Sequence, residues 1–175
     1  MMGLTVNAAG ARQETGVRHQ KTWAAWAAFA WAAVFAAVSA YWALGGTVGI
    51  DTVGGAIADL VHSGDSAASV LAWVAVLMKV AGMVYALALI QRWGRVFPRW
   101  LMLTGGWGAT VLLIVYGGAI VVVGALVVTG VIEAAPTTDM YAIRWHLFLW
   151  DPYFVIWGVL LGIATAHYAK ATRRG

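Results

Sequence analysis

The sequence predicts an all-α integral membrane protein, built as an up-down bundle of four transmembrane helices. Three observations carry that prediction. Of its 175 residues, 62% are hydrophobic and 10% are charged, against roughly a quarter charged in a soluble domain. Four apolar stretches are long enough to span the membrane; a helix needs about 20 residues to cross a hydrocarbon core about 30 Å thick. Lys and Arg gather in alternate connections between those stretches, as the positive-inside pattern requires.

Taken in order, residues 1–21 are polar and small and lack a convincing signal-cleavage site. They read as a disordered cytoplasmic tail ahead of a retained first span. The first span is expected near Thr22–Leu44. The connection that follows, "GGTVGIDTVGGAIADLVHSGDS", is rich in glycine and only mildly polar. Ile50, Val53, Ile57, Leu60 and Val61 can form one apolar face there, which predicts a short re-entrant or interfacial helix near residues 53–62. The second span is expected near Ala68–Gln91, and the basic turn "RWGRVFPRW" joins it tightly to a third near Trp100–Thr129. That third stretch is longer than one crossing needs, so it tilts or extends past the interface. The connection "EAAPTTDMYAIR" has ordinary turn chemistry and leads to a fourth span near Trp145–Ala169. Residues 22–170 therefore form one domain, and 171–175 a short cytoplasmic tail. Short connections make sequential helices antiparallel neighbours.

Arg12, Arg18, Lys21, Arg92, Arg95, Arg99, Lys170, Arg173 and Arg174 all fall on one predicted side. The opposite side carries Asp51, Asp59, Asp65, Glu133 and Asp139 with Arg144 as its one basic residue. Both termini are expected in the cytoplasm, in a bacterial inner membrane. The net charge of +4 reflects this topology rather than affinity for nucleic acid, and no nucleic-acid partner is expected. The absence of cysteine excludes disulfides and thiol redox chemistry.

Ionisable groups at membrane depth are the strongest functional pointers in such a chain. Lys79 lies near the middle of the second span in "LAWVAVLMKVAGMVY", about 16 Å from either end at the helical rise, too deep to snorkel. It must face the interior, either as part of a buried pair that fixes packing or as part of a site. Asp151 sits in "WHLFLWDPYF", an unusual place for a carboxylate. If a helix starts at Pro152, Asp151 is its N-cap. The apolar "WHLFLW" before it nevertheless puts it beneath the surface, where desolvation favours the neutral acid unless Lys79, Arg144 or helix N–H groups favour the anion. Asp51 follows the glycines of "YWALGGTVGI" and reads either as a solvated loop acid or as a second acid above Asp151.

Two histidines, His62 and His146, can approach the same mouth, but neither belongs to a metal-binding spacing. No metal and no cofactor are expected. Eleven tryptophans are present; Trp23, Trp93 and Trp100 read as interfacial anchors. Trp42, Trp107, Tyr116, Trp145, Trp150, Tyr153 and Trp157 lie further in or near the outer mouth, either as core packing or as the walls of a pocket for an apolar ligand.

The stretches "YWALGGTVG", "VLMKVAGMVYAL", "VYGGAIVVVGAL" and "WHLFLWDPYFVIWGVLLG" resemble a family of small four-span bacterial membrane proteins defined only as a domain of unknown function. The size, the four spans and the paired acids are also similar to the small membrane terpene cyclases of bacterial indole-sesquiterpenoid pathways. That likeness implies a lipophilic, prenylated indole or cyclodipeptide partner and metal-independent cyclisation of its farnesyl chain, started by protonating an alkene. Asp151 or Asp51 would then be the acid, Lys79 or His146 would tune it, and Trp42, Tyr116, Trp150 and Trp157 would line the substrate cavity. The alternative is a non-enzymatic small transporter, lipid-binding protein or accessory subunit. An oligomer is compatible with either.

Overall fold

The computed structural model describes residues 4–64 and 66–173, with side chains from Thr22 onward and without that of Ala56. Asp65 and Arg174, which enter the charge argument, lie outside the described residues, as do the side chains of Arg12, Arg18 and Lys21. Every regular element among the described residues is helical. The helices are α1 (Leu4–Ala43), α2 (Gly55–His62), α3 (Ser66–Ala88), α4 (Arg99–Val128), α5 (Met140–Trp145) and α6 (Asp151–Ala171). Short 3-10 turns occupy Ile50–Thr52 and Arg92–Val96. A π turn, His146–Trp150, joins α5 to α6 without a break. The segment read as a tail is helical from Leu4.

The four membrane-crossing lengths are Thr22–Ala43, Ser66–Ala88, Arg99–Val128 and Met140–Ala171. The first three nearly coincide with the expected spans. The fourth begins earlier than expected, because Asp139 rather than Asp151 caps it. The Asp139 carboxylate accepts from the N–H groups of Tyr141 and Ala142 at 2.9 and 3.1 Å, and the chain stays helical through Pro152.

Helix α1 packs along α3, α4 along α6, and α1 against α6, giving the spatial order α3–α1–α6–α4. The buried face of α1 is a row of small residues: Ala24, Ala28, Ala32, Ala36, Ser39 and Ala43. Their spacing keeps them on one side of the helix, and their size lets neighbouring backbones approach closely. The α4–α6 seam uses glycine for the same purpose. A Cβ at Gly117 would stand 2.8 Å from the Asp151 carbonyl and 2.9 Å from the Phe154 Cβ. Consecutive helices α3 and α4, by contrast, barely touch. They meet near the Arg92–Val96 turn, where the Tyr85 hydroxyl donates to the Met102 carbonyl. Large apolar side chains such as Leu77, Met78, Leu112, Val115 and Phe148 point outward, as they must where lipid is the solvent.

The loop after α1 folds back over the bundle end, as its apolar pattern predicted. Trp42 of α1 donates its indole N–H to the Val48 carbonyl at 3.0 Å, and the Val48 N–H donates to the Tyr41 hydroxyl at 3.3 Å. Ile50 is thereby buried. Gly54 takes φ +62°, ψ −171°, a combination open essentially to glycine alone. Any Cβ there would collide with Ala142 of α5.

Candidate functional site: a buried histidine–aspartate pair

The site forms where the helix carrying "WHLFLWDPYF" loses its regular pitch. Pro152 has no N–H to give the carbonyl four residues back, and its ring crowds that carbonyl. The helix responds by widening: the Asp151 N–H donates to the His146 carbonyl, five residues back. Residues five apart on a regular α-helix differ by about 140° in direction and do not meet. The π turn brings them onto one face, so that His146 Nδ1 lies 3.0 Å from Asp151 Oδ1. Such π turns recur at functional sites.

Asp151 is not the N-cap the sequence suggested. Its carboxyl is buried at 2% exposure within a continuous helix, beneath the folded-back loop. The Val53 carbonyl lies 3.0 Å from His146 Nε2. A carbonyl only accepts, so Nε2 carries a hydrogen. A proton then lies on the Nδ1···Oδ1 axis: either the imidazolium donates to the carboxyl oxygen, whether the carboxyl is ionised or protonated on Oδ2, or the carboxylic acid donates to the imidazole. Asp151 Oδ2 is buried and finds no partner among the described residues. The Tyr153 hydroxyl, Trp157 Nε1 and Thr110 Oγ1 share that condition. Buried polar atoms without partners are uncommon and mark places where a ligand or water completes the network.

An aromatic cluster joins α1 to the π turn and the first turns of α6 that carry the pair. Phe35 and Tyr153 stack with centroids 3.7 Å apart, and Trp31 and Trp157 flank Tyr153 at 6.0 and 5.6 Å. Trp150 packs edge-on to Phe35 at 5.8 Å and tilted on Trp42 at 5.4 Å. Trp150 also donates to Thr52 Oγ1 at 3.2 Å. The loop is therefore fastened to both ends of the π turn, through Val53 to His146 and through Thr52 to Trp150.

The other expected site residues divide. Trp42, Trp150 and Trp157 belong to the aromatic cluster. Tyr116 is half exposed and meets Phe154 edge-on at 5.3 Å. Lys79 donates to the buried Ser39 hydroxyl at 3.0 Å, and that hydroxyl, rather than a carboxylate, is its partner. The structure does not bring Asp51 to Asp151: its side chain is 70% exposed and pairs with His62 at 2.7 Å. The two histidines therefore serve separate carboxylates, and no group of three or more metal-ligating side chains occurs among the described residues.

Sequence reading missed Phe35 and the Val53 carbonyl, whereas Tyr153 was among the aromatics expected near the outer mouth. The spacing of Trp31, Phe35 and Trp42 on one helical face was an available signal for Phe35. No local signal marks a backbone carbonyl that reaches across from a loop.

These features define a multi-pass helical membrane protein with a buried histidine–aspartate pair in an aromatic setting. The chain belongs to DUF3995, a family described as "Protein of unknown function", whose model matches residues 32–161. No match was found among curated proteins or solved structures.

Proposed function

We propose that the protein is a membrane-embedded, metal-independent terpene cyclase that starts cyclisation of a prenyl chain by protonating an alkene. The observation that carries this reading is the His146–Asp151 pair with Oδ2 of the acid left unpartnered. In the working state Asp151 carries a proton on Oδ2, while His146 Nδ1–H donates to Oδ1 and Nε2–H to Val53. The imidazolium sharpens the acid by stabilising the carboxylate that remains after transfer. The alkene π electrons take the proton, the O–H bond breaks, and a C–H bond and a carbocation form. Ring closure moves the cation along the chain, and loss of a C–H proton to a base ends the reaction. The product is an isomer of the substrate.

The aromatic faces of Phe35, Trp42, Trp150 and Tyr153 suit the cationic stage, because ring quadrupoles attract positive charge. Asp151 and His146 are the residues in catalytic roles; Asp51 is assigned none, given its outward pairing with His62. A farnesylated indole or cyclodipeptide is the substrate class we favour. With both termini in the cytoplasm of a bacterial inner membrane, the Asp151 end faces outward. The separation of α3 from α4 offers a lipophilic substrate a lateral route from the bilayer.

The test is incubation of detergent-purified protein with a panel of prenylated indoles, followed by a search for products of unchanged mass. Turnover that Asp151→Asn abolishes supports the reading, and no turnover across the panel sinks it. A second reading, a carrier of anionic or neutral lipids, draws on Lys79, a cation at mid-membrane depth whose partner is a single hydroxyl. It predicts lipid transfer between vesicles that Lys79→Met removes and Asp151→Asn leaves intact.

A further inference from the structure

The bundle end opposite the histidine–aspartate pair holds a cavity of about 630 Å³, within the range of small-molecule sites. It opens where α3 ends and α4 begins, the level at which a bilayer gives way to headgroups. Arg95, Arg99 and His167 line it and no carboxylate does. The ion pairs among the described residues are the two His–Asp pairs at the far end, so neither arginine is neutralised by an acid among the described residues. Arg99 donates its Nε to Thr172 Oγ1 at 2.9 Å. This fixes the base of the guanidinium on α6 and leaves its two terminal nitrogens without a partner among the described residues.

Two more features point the same way. His167 Nδ1 is shielded from solvent and finds no partner among the described residues. Pro98 and Arg99 begin α4, a helix of 30 residues whose first turn has no side-chain cap. Uncapped first-turn N–H groups and the positive end of the helix dipole both favour an anion. The remaining wall is apolar, with Leu89, Phe97 and Ala164, which suits an acyl or prenyl chain below the charged group.

We propose that this cavity binds the phosphate group of an anionic amphiphile. Arg95 and Arg99 supply the charge, His167 an inner donor, and the apolar wall receives the chain. The guanidinium fork matches phosphate oxygens in geometry and charge. This site stands apart from the cyclase reading and does not depend on it.

The test is binding to the full chain purified in neutral detergent, read by native mass spectrometry with dioleoyl phosphatidylglycerol, dioleoyl phosphatidylcholine and inorganic phosphate as probes. Phosphatidylglycerol should bind about tenfold more tightly than phosphatidylcholine, and the Arg95→Gln/Arg99→Gln double variant should lose that preference. Inorganic phosphate should compete, which identifies the recognised group. Phosphate binding that depends on the arginines without any lipid preference supports the same site with a free anion as its source. His167→Gln, a milder change, should weaken binding while the fold measured by circular dichroism is kept. Arg92→Gln alters the same turn outside the cavity lining and should have no effect. A loss in Arg92→Gln equal to that in the double variant would mean generic interfacial charge and overturn the proposal. Equal binding by wild type and double variant would overturn it as well.

Discussion

His146 and Asp151 are five positions apart, yet their side chains meet at 3.0 Å because the helix between them widens by one residue. Pro152 is the physical cause. Pro152→Ala restores an N–H and removes the ring clash, so a regular α-helix becomes available and turns the two side chains apart. The expected result is a loss of activity of about 10²-fold, the penalty for misplacing reacting groups by about 1 Å. The thermal midpoint in detergent should not fall, because a helix-breaking residue has been removed. A large loss of stability with activity retained per folded molecule would contradict the role given to the π turn.

Gly117 lets α4 approach the backbone of Asp151. Gly117→Val should clash with the Asp151 carbonyl and the Phe154 Cβ and destabilise the bundle by about 1–3 kcal/mol, the usual range for overpacking. Gly118→Ala is the control, since a Cβ at Gly118 meets nothing within 4 Å. Thermal unfolding in detergent should separate the two variants clearly. Equal midpoints would show that the seam yields more easily than its geometry implies.

The folded-back loop should behave as one unit with the π turn. Gly54→Ala requires a backbone conformation costly for alanine, about 1–3 kcal/mol, and also collides with Ala142. Hydrogen exchange over residues 50–62 should accelerate, while exchange in α4 stays unchanged. Unaltered protection of 50–62 would mean that Gly54 does not hold the loop down.

Asp51 tests the division of labour between the two acids. Its pair with His62 is exposed on both sides, and such pairs contribute about 0–1 kcal/mol. Asp51→Asn should leave turnover intact and stability changed by less than about 1 kcal/mol. Loss of turnover in Asp51→Asn would return it to the catalytic role that its sequence position first suggested.

Much of this was legible in the sequence, because membrane depth is written in composition. Apolar length located the first three spans, and the pattern Ile50, Val53, Ile57 located the loop helix. The apolar run before Asp151 showed that this carboxyl lies beneath the surface. His146 and Lys79 were the two candidates to tune it; His146 meets the Asp151 carboxyl and Lys79 the Ser39 hydroxyl. What misled was "DP": in a soluble chain it marks a helix start, whereas here Asp139 starts the helix and Pro152 sits inside it. A proline within a membrane helix is tolerated because a local π turn and neighbouring helices satisfy the freed backbone groups. Asp51 misled for a different reason. Its neighbours Thr52 and Val53 do reach the site, but a 3-10 turn directs its own side chain outward to His62.

The most direct measurement of the central claim is turnover of a prenylated indole in D2O by wild type, His146→Gln and Asp151→Asn. Proton transfer from the exchangeable Asp151 carboxyl predicts a product one mass unit heavier than the substrate. It also predicts a loss of about 10²–10⁴-fold in His146→Gln, in the range of general-acid catalysis, and no product from Asp151→Asn. A product without deuterium, or undiminished turnover by Asp151→Asn, would contradict the account.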